Sequence, residues 1–165
     1  MQFKALLFVA FVGTAHGGEP RAKVFQREGD SIRTARKVVA DEFAGYPRAK
    51  HQALNAATMV ATDLDDLAKI IQGPELAAEP TDEEVYGCFV PHHSFLVTDR
   101  DGKSYRILVC LDCHRIVFQG PHGTSFPFTV AARDRLRGLF QRLKLPTRTS
   151  EEYLKLDFHE QQRTK

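Results

Sequence analysis

Apolar residues recur along this chain with two different periods, and the two periods divide it into helices and strands. Helical spacing appears three times. Ile32, Ala35, Val39 and Phe43 fall three or four residues apart, which predicts an amphipathic helix over 31–43, stopped by Gly45 and Pro47. Leu64, Leu67, Ala68 and Ile71 form a second stripe. Thr62 and Asp65 stand at capping-box spacing before it, and Gly73-Pro74 ends it. Leu136, Leu139, Phe140 and Leu143 mark a third helix over 129–143, followed by Pro146.

Shorter apolar runs rich in β-branched and aromatic residues read as strands at 55–60, 94–98, 105–111 and 115–119, with a further short strand at 22–26. Asp99-Arg100-Asp101-Gly102 separates two of them. Asp-Gly between such runs signals a hairpin, because Gly accepts the positive φ of a tight turn. Gly120-Pro121-His122-Gly123 is another turn. The order of elements predicts an α+β fold: a single domain with a small antiparallel sheet and helices packed on one face.

Composition changes this picture little. The 165 residues are 42% apolar and 27% charged, ordinary for one globular domain. Twenty-three basic against 21 acidic residues leave a net charge of +2, too even to argue for nucleic acid. The N-terminus adds more. A short positive segment (Met1 to Lys4), an apolar run (Ala5 to Val12) and small residues at Ala15 and Gly17 match a secretory signal peptide over 1–17. The expected product is secreted or periplasmic, with no transmembrane segment after signal removal. It would comprise a leader with a helix over 18–52, an α+β core over 53–146 and a charged, weakly packed tail over 147–165.

The candidate chemistry lies in the hairpin region. It contains Cys88, Cys110 and Cys113, and with them His92, His93 and His114. A hairpin carries the Cys88 end back beside Cys110 and Cys113. Three cysteines cannot all pair within one chain, so one is free, intermolecular or ligand-bound. Three readings stay open. In the first, Cys88, Cys110 and Cys113 bind a metal, zinc by ligand type, with His92 or His93 completing a tetrahedron. Both cysteines of the C-x-x-C reach one ion only if the chain turns at Leu111-Asp112, with backbone amides pointing at sulfur.

In the second reading, Cys110-Leu111-Asp112-Cys113-His114 is a c-type haem attachment sequence. Against it, the flanks are strand-like where such a site usually opens a helix, and the only methionine after the signal is Met59. In the third, Cys88 forms a structural disulfide with Cys110 or Cys113, which an oxidising compartment permits. A thioredoxin-like role is disfavoured, because C-x-x-C there precedes a helix and here a strand follows.

The remaining candidates have plainer readings. Asp63, Asp65 and Asp66 cap a helix, and lack the spacing and Gly of a calcium loop. His51, His122 and His159 are solvated turn residues. No serine elbow, phosphate-cradling Gly loop or acid–base carboxylate pair is present. The reading is therefore a metal-binding protein with a binding or accessory role rather than catalysis, towards an unknown protein or small-molecule partner.

Cys88-Phe89-Val90-Pro91-His92-His93, a Gly-containing hairpin, an apolar run into Cys110-x-x-Cys113, and a Leu-rich helix ending in Leu145-Pro146 together resemble a group of small secreted bacterial proteins of unknown function. The resemblance spans about 54–146. It implies that Cys88, Phe89, Pro91, His92, His93, Cys110 and Cys113 are the motif and that His114 is incidental. It implies no activity.

Overall fold

A computed structural model describes residues 20–44, 53–78, 90–119, 123–149 and 151–156. Six antiparallel strands form one sheet, and helices cover one face of it. In chain order the elements are α1 (Arg21–Thr34), β1 (Lys37–Glu42), β2 (Asn55–Thr58), α2 (Ala61–Ile71), α3 (Pro74–Ala77), β3 (His93–Thr98), β4 (Ser104–Cys110), β5 (Arg115–Gln119), β6 (Thr124–Pro127) and α4 (Val130–Arg142). The sheet runs β2-β1-β3-β4-β5-β6.

Side-chain alternation along each strand separates the two faces. Val38 and Ala40, Phe95 and Val97, Ile107 and Val109, and Ile116 and Phe118 all join the main core. Their register neighbours place them in rows across the sheet, such as Ala40, Phe95, Ile107 and Phe118. Against this face lie Val24, Phe25 and Ile32 of α1, Leu67, Ile70 and Ile71 of α2, and Leu136, Leu139 and Phe140 of α4. Gly29 is needed where α1 crosses α2: a Cβ there would stand 2.4 Å from Gln72 Cγ. The Gln72 amide in turn donates to Gln26 O and Asp30 Oδ1, both at 2.9 Å.

The helix expected over 31–43 is instead the end of α1 followed by β1. Ala35, with ψ 142°, breaks the helix, and Val38, Ala40 and Glu42 then face the core with period two. The true helical stripe is Val24, Phe25, Gly29 and Ile32. A buried glycine and many charged residues hide it in the sequence. The core thus reaches back to α1 and β1, well before residue 53, and the strand expected at 22–26 is helix. α2 starts one residue before Thr62, and Asp63, not Asp65, accepts the Val60 N–H at 3.2 Å. β6 is a strand that the sequence reading did not separate from the turn before it.

Both hairpins of the central sheet hold. In the first, Asp99 N–H bonds Lys103 O at 2.9 Å and Gly102 N–H bonds Asp99 O at 3.2 Å. Gly102 has φ 81°. The turn is thus a tight turn followed by a left-handed residue, not a two-residue Asp-Gly loop. α4 begins as expected: Thr129 Oγ1 accepts the Ala132 N–H at 3.3 Å and donates to Glu75 O at 2.8 Å. It ends with Lys144 at φ 58° and Leu145 N–H on Phe140 O at 2.9 Å, a left-handed cap.

Past α4 the chain folds back across the end of the sheet. Residues 151–156 are helical, and Tyr153 is 2% exposed. The described part of the tail is therefore anchored through Tyr153 rather than weakly packed. None of the helices found among the described residues is long and apolar enough to cross a membrane.

Candidate functional site

Residues 111–114 connect β4 to β5, and Cys110 pairs with Arg115 across the hairpin. The C-x-x-C therefore occupies a tight turn between adjacent strands, reversing at Leu111-Asp112 as a shared site requires. The Cys113 N–H donates to Cys110 Sγ at 3.3 Å. His114 closes the turn with φ 47°, a conformation that costs a non-glycine residue about 1 kcal/mol or more. Turns are usually polar and solvated, yet here both sulfurs are buried.

The electrostatics fit an anionic sulfur. Hydrogen bonding from the Cys113 side chain brings the Cys110 thiol down to about 7, against burial, which pushes it up. The Cys113 amide acts in the same direction as its side chain. No disulfide joins Cys110 to Cys113.

A second polar group lies at the same end of the sheet. Glu42, the last residue of β1, is fully buried, and His93, its register partner on β3, is 2% exposed. Glu42 accepts from Asn55 Nδ2 at 2.5 Å and from Tyr153 OH at 3.2 Å, and pairs with Arg148. His93 Nε2 lies 2.8 Å from Pro146 O, and the ring stacks on Phe140 with centroids 4.3 Å apart. Burial holds the imidazole down at about 4, although the Pro146 contact favours the proton. His92 stacks flat on Tyr153, 3.7 Å between centroids and 5° between planes. Burial likewise raises the Tyr153 phenol to about 12.

The two groups meet at a cavity of about 10 Å³, room for roughly one water. It is lined by His92, His93, Leu111, Asp112, Arg137, Thr147, Arg148 and Tyr153. Leu111 and Asp112, the two residues between the cysteines, thus share a wall with the tail.

Of the residues singled out in the sequence, Cys110 and Cys113 come together, while Cys88 lies outside the described residues. His92 and His93 sit at the head of the neighbouring strand. Among the described residues, no group of three or more His, Cys, Asp or Glu side chains gathers around one point. His114 packs towards α4: its Nε2 is 3.3 Å from Arg133 Nη1, and its ring stacks on Phe128. Strands rather than a helix flank the C-x-x-C-H sequence, so the geometry does not favour haem attachment. His51, His122 and His159 lie outside the described residues. In the acidic cluster, Asp63 caps α2, Asp65 pairs with Lys69 at 2.5 Å, and Asp66 pairs with Arg142 at 2.7 Å.

Glu42, Arg148 and Tyr153 are the residues that sequence reasoning missed. The only available signal was an aromatic residue inside a charged tail. No family model, curated protein or solved structure matches the chain.

Proposed function

We propose that the β4–β5 turn is one half of a zinc-thiolate site, and that the protein is a secreted or periplasmic metal-binding protein with an accessory role. The observation that carries this is the Cys113 backbone amide, which donates to the buried Cys110 Sγ at 3.3 Å across the tight turn. Amides directed at a buried sulfur stabilise thiolate, the form that binds metal. Cys88 is the natural third thiolate. It stands two residues before Val90, a span of at most about 7 Å. Of the two imidazoles, His93 is held by Pro146 O and Phe140, which leaves His92 as the better fourth ligand. The β3–β4 register, continued one step past its last pair His93–Val109, would set His92 opposite Cys110, which favours this choice. Bound zinc would tie this end of the sheet together, with burial excluding water and competing oxidants.

The experiment is metal analysis with native mass spectrometry on protein exported to the periplasm. One zinc per chain is expected, lost in Cys113→Ser and in Cys88→Ser. A metal-free protein two hydrogens lighter than the reduced chain would overturn the reading in favour of the disulfide. A covalent haem adduct would do so in favour of electron transfer.

A further inference from the structure

Tyr153 is the one fully buried side chain in 151–156, while its neighbours Glu151, Glu152, Leu154 and Lys155 are exposed. A segment attached through a single ring normally serves that ring's contacts. Here those contacts reach both arms of the cysteine site. On one side the ring lies flat on His92, which precedes β3 and follows Val90 by two residues. On the other, Tyr153 shares the small cavity with Leu111 and Asp112, the residues between the cysteines. The hydroxyl reaches Glu42 Oε1 and Pro146 O, both at 3.2 Å. These contacts fix the ring's depth and orientation.

Resting on the zinc-site reading above, we propose that Tyr153 is a positioning residue for the cysteine site: its docked ring fixes the His92–His93 segment, and with it the Val90 arm that leads into β3, beside the C-x-x-C turn. The tail is then a latch on the site. Docked, it keeps the Val90-to-His93 arm in place beside the C-x-x-C turn. Undocked, this segment keeps the β3–β4 pairing that begins at His93 and Val109 and the Phe43 N–H on His92 O at 2.8 Å, neither of which reaches Val90.

The test uses the full chain in three forms: Tyr153→Ala, Tyr153→Phe, and Leu154→Ala as a control at a 70% exposed neighbour. Zinc affinity is read by competition with a chromophoric chelator. Hydrogen exchange of the Val90 amide is read in metal-free protein, against Val97 near the far end of β3. Tyr153→Ala should weaken zinc binding about tenfold or more, as loss of a residue that orients metal ligands does. It should also speed Val90 exchange about tenfold relative to Val97. Tyr153→Phe keeps the stack on His92 and should lose less of both, and Leu154→Ala neither.

A uniform loss of stability that leaves the Val90-to-Val97 ratio and the zinc affinity unchanged would overturn the proposal. If the wild type binds no zinc but Tyr153→Ala still frees Val90, positioning stands and the zinc reading falls. If zinc binds and Tyr153→Ala changes neither quantity, the reverse holds. Should Tyr153→Ala fail to fold, Tyr153→Phe and Glu42→Gln decide. Both must shift the Val90 ratio in the same direction, and no shift in either overturns the latch.

Discussion

The sheet contains two hairpin turns of opposite character. Residues 99–103, between β3 and β4, close on themselves: Asp99 supplies backbone and carboxylate acceptors, including Oδ1 to Lys103 N at 2.9 Å, and Gly102 supplies the left-handed residue. None of the five is buried. Residues 111–114, between β4 and β5, do the same geometric task with opposite materials. Leu111, Cys113 and His114 are buried, a histidine occupies the left-handed position, and the acceptor for a turn amide is sulfur. The first turn is what strand reversal alone requires. The second carries backbone strain and buried polar groups that reversal does not need, and such excess collects at functional sites. The comparison is what makes the second turn the candidate for function and the first a scaffold turn.

Removing metal should separate the two turns most. If the second turn is half of a structural zinc site, stripping zinc from the wild type, or making Cys113→Ser, should cost roughly 4 kcal/mol, or about 10 °C in a domain of this size. Asp101→Ala in the first turn should stay within about 0.5 kcal/mol, as exposed substitutions do. Thermal melts with and without chelator check this. Equal melts for stripped and loaded wild type would erase the distinction.

A pH series sharpens the same contrast, because His93, buried and titratable, stands beside the second turn. His93 takes its proton near pH 6.5 when unfolded but only at about 4 when folded. Above pH 6.5 it is neutral in both states, and its full contribution is present. As pH falls from 6.5 towards 4 the unfolded chain gains the proton first, so stability is lost across that window, by roughly 3 kcal/mol in total. Denaturant titrations of metal-free protein should show this slope, and His93→Asn should flatten it. An unchanged slope in His93→Asn would show that the imidazole is not desolvated as its position implies.

The legibility of the two turns in the sequence differs for a physical reason. The first turn was readable because its signal is local: Asp-Gly, then alternation on both sides. The strands at 94–98, 105–111 and 115–119 and the helix at 129–143 were readable for the same reason. The C-x-x-C was readable as a motif, and the turn it needed at Leu111-Asp112 is present. The helix expected over 31–43 failed because Ile32 and Phe43, which completed its stripe, belong to the core through different elements. The Glu42, Arg148 and Tyr153 group could not be read at all. Its members lie up to 111 positions apart, and nothing local to Tyr153 shows that a charged tail returns to the head of β3.

The smallest expected effect tests the backbone difference directly. Gly102 at φ 81° has no atom within 4 Å of where a Cβ would stand, so Gly102→Ala meets no clash. It changes only the conformational cost, and should destabilise by about 1 kcal/mol. His114→Gly removes a strain of the same kind at φ 47° but also removes the ring from Phe128 and Arg133. The two contributions oppose, and the buried ring outweighs the relieved strain, so the net loss should be about 1–2 kcal/mol. Denaturant melts of both variants, with the same metal content, measure the pair. A loss of several kcal/mol in His114→Gly would mean that the imidazole, not the turn geometry, holds the second hairpin together. His114 would then belong to the site rather than beside it.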